Sequence, residues 1–180
     1  MAYYLDLMDN KHIELAQKFR VNQDSCSNPL HYEHYLKFCA LSDKKAGKGV
    51  THIFIDRDDS TSEERIMGFI TLKSSSITMF YEDTNKLVGR PALEISELAV
   101  DADYERRGIG TLLVKYAVGV AVNLNDSFLG IEYVTLCADP SVVDFYLRDE
   151  LEFKKLEDFY ELPREYWNLN CIPLALKLHF

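Results

Sequence analysis

Residues 94–111 read EISELAVDADYERRGIGT: an apolar strand, a short polar turn with Gly108 and Gly110, and the start of a helix. No other stretch limits the fold of this chain as much. A strand that turns through glycine into a helix leaves unpaired backbone N–H groups and the positive end of the helix dipole facing outward, an arrangement suited to phosphate. Glycine lets the backbone close on an anion where a Cβ would block it. A helix is predicted over residues 109–123, because Ile109, Leu112, Leu113, Tyr116, Ala117 and Val120 recur at the spacing of one buried helical face. The turn lacks the Lys-Ser or Lys-Thr pair of a P-loop and the G-x-G-x-x-G fingerprint of a dinucleotide site.

Alternating apolar runs predict strands at residues 3–7, 50–56, 66–73, 93–100 and 131–138, with further strand from 153 and at 174–178. Helical patterns cover residues 11–20, a segment opened by Asn28-Pro29 and running to 41, and a short helix over 140–148 begun by Pro140. The strands at 50–56 and 66–73 are expected to pair as an antiparallel hairpin across a charged connection. Serines, aromatics and charges mix over residues 74–90 with no periodicity, so that stretch receives no assignment. Early helices, a hairpin and then β-α-β make a mixed α/β class. The 180 residues are read as one domain, 1–180, large enough to bury a core.

Apolar residues at 47% and charged residues at 27% are a globular composition. No apolar run is long enough to span a bilayer. The N-terminus has no basic segment leading into an apolar one, so a cytoplasmic protein without membrane association is expected. Cys26, Cys39, Cys137 and Cys171 are scattered, without a C-x-x-C pair; reduced core thiols are expected, with neither a disulfide framework nor a metal site. The net charge of −9 argues against a nucleic-acid partner and mildly favours a cationic one, while a local basic cluster can still hold a polyanion.

The glycine turn and the triplet before it resemble the acetyl-CoA motif of the GCN5-related N-acetyltransferases (GNAT family), Q/R-x-x-G-x-G/A after a Leu-Ala-Val-like strand end. Here the triplet is Leu98-Ala99-Val100, the glycines are Gly108 and Gly110, and Glu105 stands where the family carries Gln or Arg. The resemblance is specific over residues 93–153 and topological elsewhere. It implies the GNAT acyl-CoA N-acyltransferase fold: a mixed, mostly antiparallel sheet flanked by helices, with a splayed parallel pair that admits the pantetheine arm. Residues 93–100 and 131–138 would be that pair. It also implies acetyl-CoA as co-substrate, held by Leu98, Ala99, Val100, Arg106, Arg107, Gly108, Ile109, Gly110 and Thr111.

Acetyl transfer to an amine needs positioning, a route for the ammonium proton and a proton donor for the departing thiolate. An aliphatic ammonium, with a pKa of roughly 10.4, arrives protonated, so a partly desolvated carboxylate is a useful acceptor. Glu94 and Glu97 occupy the two positions at which the family places an acidic residue before the triplet; strand alternation puts them on opposite faces. An edge carboxylate serves equally well as an account of either. Tyr146, in Asp144-Phe145-Tyr146, is the stronger catalytic candidate: it resembles the family's Phe-Tyr pair, whose hydroxyl protonates the thiolate, and this motif position favours the catalytic reading over simple packing beneath a helix. The family's usual Leu-Gly-Phe continuation is replaced by Tyr146-Leu-Arg-Asp-Glu-Leu-Glu-Phe153, and Asp139 stands where Asn is frequent. His31 and His34 are three apart on a helix without a third metal ligand, and are read as a polar or aromatic helix face; the family resemblance implies that this face lines the acceptor pocket. His52 alternates with apolar neighbours and is read as structural. Phe159, Tyr160, Tyr166 and Trp167 form an aromatic cluster suited to packing or a subunit contact.

The leading expectation is an N-acetyltransferase that moves the acetyl group of acetyl-CoA to a primary amine of a small molecule or protein, as a monomer or homodimer. One alternative is a toxin acetylating aminoacyl-tRNA, which the stretch GFITLKSSSI…GRPALEISELAV resembles. Another is a non-catalytic module of the same fold that binds acetyl-CoA or a partner.

Overall fold

The computed structural model describes residues 2–81, 85–156 and 171–179. The chain divides into two compact units, Met1–Lys73 with Ser96–Val114, and Ser74–Ile95 with Lys115–Phe180. Two long neighbouring strands, β3 (Glu64–Tyr81) and β4 (Lys86–Val100), run through both. They account for much of residues 74–90, where local pattern alone predicts nothing.

In the first unit, β1 (Ala2–Leu7) pairs antiparallel with β2 (Val50–Arg57), and β2 pairs antiparallel with β3, as the hairpin pattern predicts. Phe54 lies opposite Gly68 and Ile55 opposite Ile66, so Met67 is an extra residue, a bulge in β3. The helical segments are α1 (Ile13–Lys18), α2 (Pro29–His34) and α3 (Ala40–Lys45). The helix expected over 28–41 is interrupted between α2 and α3 by a π-helical turn, Tyr35–Cys39. Such turns occur often at functional positions. Phe19, Leu36, Ile53, Ile55 and Phe69 are almost fully buried together with Tyr35 and Ala99. Burial of side chains this size contributes on the order of 1.5–3 kcal/mol each.

In the second unit, β4 pairs parallel with β5 (Tyr133–Ala138), from Ala92 opposite Tyr133 to Ile95 opposite Leu136. That register stops there although both strands continue. β5 then pairs antiparallel with β7 (Ile172–Lys177), and β7 with the short β6 (Lys154–Lys155). The sheet is therefore mixed, with one parallel pair, as the GNAT resemblance implies. Ile77, Met79, Ala92, Tyr133 and Ala175 form the core of this unit.

Helix α4 (Ile109–Ser127) carries the predicted pattern and runs four residues further than expected. Its buried face is Leu113, Val114, Ala117 and Ala121; Leu112, expected on that face, is 45% exposed. Among the described residues no helix is long and apolar enough to cross a membrane.

The thiols need a correction. Cys137 and Cys171 form a disulfide, with Cα atoms 5.5 Å apart, where reduced cysteines are expected. Pairing of β5 with β7, which puts Cys137 opposite Pro173, brings together residues 34 apart in sequence. Spacing alone gives no sign of this. Cys26 and Cys39 are free.

Candidate active site

The first unit holds the glycine turn. β4 ends in Leu98-Ala99-Val100, and the buried Asp101 then organises the exit. Its Oδ2 accepts from Arg20 N at 2.9 Å and its Oδ1 from Asp103 N at 3.1 Å, capping the 3-10 turn Ala102–Tyr104. Asp101 N donates to the carbonyl of the bulged Met67 at 2.9 Å. Arg106 and Gly108 then take positive φ, 59° and 81°. The Gly108 carbonyl accepts from Leu112 N at 3.0 Å, opening α4. The amides of Ile109, Gly110 and Thr111 thus belong to a first helical turn, where N–H groups lack intrahelical acceptors.

A Cβ built on Gly108 meets nothing within 4 Å, so the turn faces open space. Arg106 and Arg107 are exposed, and Arg107 lies over the Tyr104 ring, 5.1 Å from its centroid. First-turn amides, an open glycine and two guanidinium groups fit a pyrophosphate. Glu105 does not stand uncommitted among them, because its Oε2 accepts from Asn22 Nδ2 at 3.0 Å.

Gly68 lies close by on β3. A Cβ there would come within 3.0 Å of Ala99 O, 3.1 Å of Leu113 Cδ1 and 3.2 Å of Ile109 Cγ2. The start of α4 can approach the strands this closely only because residue 68 has no side chain. A glycine inside a strand pattern was the available signal, since it marks a close approach or a bulge. Here it marks both.

Glu97 follows the predicted alternation. It shares a strand face with Ile95 and Ala99, and its carboxylate Oε2 lies 3.0 Å from His31 Nε2 on α2. The Glu97 side chain is 16% exposed and that of His31 48%. Burial pushes the Glu97 carboxyl above its ordinary range, with the nearby Asp43 charge acting in the same direction; His31 and Lys73 oppose it. Next to His31, with ring centroids 6.5 Å apart, is the buried Tyr35. Its hydroxyl engages Thr51 and Thr71, whose own hydroxyls are 2.8 Å apart. His34 turns instead to the Phe38 ring, at 5.1 Å, so the two histidines of α2 have separate surroundings.

Glu94 and Tyr146 belong to the second unit. Glu94 is partly buried, opposite Thr135 of β5. Tyr146 closes the one-turn helix α5 (Val143–Tyr146). Asp139 starts this segment, its Oδ1 accepting from Ser141 N at 2.9 Å, the capping work that an Asn would do. Tyr146 is 7% exposed, in edge-to-face contact with Phe145 and Phe153 at centroid distances of 4.8 and 6.0 Å. Glu152, just before Phe153, has φ 57°, so it adopts the backbone conformation for which glycine is favoured. Phe159, Tyr160, Tyr166 and Trp167 lie outside the described residues.

Residues 13–151 match the model of the acetyltransferase (GNAT) family. No curated protein is significantly similar in sequence. Among solved structures, a tyrosine-to-phenylalanine mutant of KacT superimposes with a TM-score of 0.73 at 16% identity, over 98% of this chain and 95% of that one. AtaT complexed with acetyl-methionyl-tRNAfMet gives 0.70 at 14% identity, over 96% and 94%. A mutant AtaT toxin bound to acetyl-CoA and the C-terminus of the antitoxin AtaR gives 0.68 at 17%, over 97% and 92%. At these identities the similarity is one of fold.

Proposed function

Since the chain belongs to the acetyltransferase (GNAT) family, whose members are acetyl-CoA-dependent N-acetyltransferases, we propose that it acetylates a primary amine of a small molecule or protein with Glu97 as the base. The observation that carries this reading is the partly desolvated Glu97 carboxylate, paired to His31 in the same unit as the glycine turn. A carboxyl pushed upward by burial is a better match for an ammonium proton than an ordinary one. Leu98 to Val100 would line the pantetheine arm. Arg106 to Thr111 would hold the pyrophosphate, by their amides and by the two arginines. Tyr146 would protonate the departing thiolate; its clamped, buried ring and its place in the Phe-Tyr pair support this. Glu94, on the opposite strand face, is the competing base.

The proposed location is cytoplasmic; the Cys137–Cys171 disulfide, of a kind rare in that compartment, counts against it.

A second reading, acetylation of aminoacyl-tRNA, is favoured by one observation: the fold matches AtaT, solved with acetyl-methionyl-tRNAfMet, along almost the whole chain. The net charge of −9 opposes it.

The test is calorimetric binding of acetyl-CoA to the full chain, followed by thiol release with spermidine, tyramine and lysyl peptides. Glu97→Gln should lower kcat more than Glu94→Gln. A larger loss in Glu94→Gln transfers the role to Glu94. Tight, salt-sensitive tRNA binding promotes the second reading, and binding of acetyl-CoA without acetylation of any amine or tRNA leaves a non-catalytic module.

A further inference from the structure

We propose that His31 is the proton exit of this site, taking the ammonium proton from Glu97 and delivering it to water. The inference rests on the reading of Glu97 as the base.

The reaction releases one proton overall, because an ammonium and a thioester become an amide and a thiol. Between ammonium and amide the nitrogen gives up two protons: one makes good the proton that Tyr146 would give to the thiolate, and the other must leave for solvent. Glu97, 16% exposed on its side chain, can take that proton but is poorly placed to pass it to solvent. His31 Nε2 is 3.0 Å from Glu97 Oε2, and its side chain is 48% exposed. The imidazole therefore meets the carboxylate through Nε2 while about half of its side chain is open to solvent. In the neutral form with hydrogen on Nδ1, Nε2 takes the proton from the Glu97 carboxyl and Nδ1 releases its own to water. The site then resets by exchange of the ring tautomer. Imidazole is the side chain whose ordinary titration range suits such a shuttle near neutral pH.

The other groups around Glu97 do not offer this route. Lys73 of β3 is cationic and Asp43 of α3 acts on Glu97 only through its charge. The Tyr35 hydroxyl, from the π-helical turn, is buried and committed to Thr51 and Thr71. The Tyr32 ring meets His31 edge-on at 5.3 Å, which helps to fix the imidazole plane.

The experiment uses the full chain and the panel amine of highest turnover. His31→Gln keeps a side chain able to bond Glu97 but unable to carry a proton through. It should lower kcat by about tenfold or more, at the low end of acid–base effects, with KM for acetyl-CoA within twofold. In His31→Ala, added imidazole should restore most of the lost rate, and the same imidazole should do nothing for Glu97→Gln. Parental kcat in His31→Gln beside an impaired Glu97→Gln overturns the exit and leaves Glu97 as the base. Loss of activity in both histidine variants without imidazole rescue also overturns it, reducing His31 to a group that orients Glu97. An unimpaired Glu97→Gln, or a panel with no acetylated amine, removes the reading on which the exit rests, and the exit with it.

Discussion

Asn22 Nδ2 donates to Glu105 Oε2 at 3.0 Å, tying the segment after α1 to the residue that leads into the glycine turn. A carboxylate at this motif position would repel a pyrophosphate if it stood free among the turn amides. Bonded to Asn22, it becomes part of the scaffold, and in the proposed site the cationic work would fall to Arg106 and Arg107. A sequence motif records which residue departs from a pattern. It does not record what that residue holds.

Gly68 and Gly110 should fail in different ways. Gly68→Ala places a methyl against Ala99 O and the side chains of Leu113 and Ile109, and should cost about 1–3 kcal/mol as overpacking does. Urea denaturation reads this directly. Gly110→Asp puts a carboxylate in the first turn of α4, where acidic residues suit the helix itself but repel an anionic ligand. It should leave a folded protein that has lost acetyl-CoA binding by calorimetry. Retained affinity in that variant would remove the turn from the co-substrate site.

Tyr146→Phe should lower kcat by roughly 10²- to 10⁴-fold with little change in KM for acetyl-CoA, if donation to the thiolate limits turnover. The edge-to-face contacts with Phe145 and Phe153 involve the ring and survive the change, so the ring stays in place when the hydroxyl is removed. Parental steady-state kinetics in this variant would make Tyr146 a packing residue.

Glu152→Gly should stabilise the protein by about 0.5–1 kcal/mol. Glu152 sits at φ 57°, a conformation that costs a residue with a Cβ about 1–2 kcal/mol, and the larger unfolded-state entropy of glycine cancels part of the gain. Chemical denaturation of the oxidised protein provides the measurement. A destabilised variant would mean that the Glu152 side chain contributes more than its backbone costs.

Burial, with help from the Lys44 charge, holds the His52 imidazole below its ordinary value of 6.5. The unfolded chain then binds a proton that the folded chain does not. Stability associated with this group is full above about pH 6.5 and is lost as pH falls from there towards the folded value. His52→Gln should therefore show a smaller drop in urea midpoint between pH 7 and pH 5 than the parent. Identical drops would assign the pH dependence to other groups.

Strand 93–100 and the helix after it were legible because their periodicity is local: the alternation around Ile95 and Ala99 and the helical spacing of Leu113 and Ala117 are set by the pitch of each element. The same local rule separated Glu94 from Glu97. Residues 74–81 and 86–90 were not legible, since they are strand only by virtue of pairing with neighbours. Cys137 and Cys171 meet because β5 and β7 pair, and Gly68 is needed because Ile109 and Leu113 pack over it. The helix expected over 28–41 proved to contain a π turn at Tyr35–Cys39. Composition, spacing and chain order thus determined the fold class and the place of the glycine turn. Tertiary structure alone decided that His31 meets Glu97, 66 residues further along the chain, because which side chains touch across such a distance depends on packing and register, which no local pattern encodes.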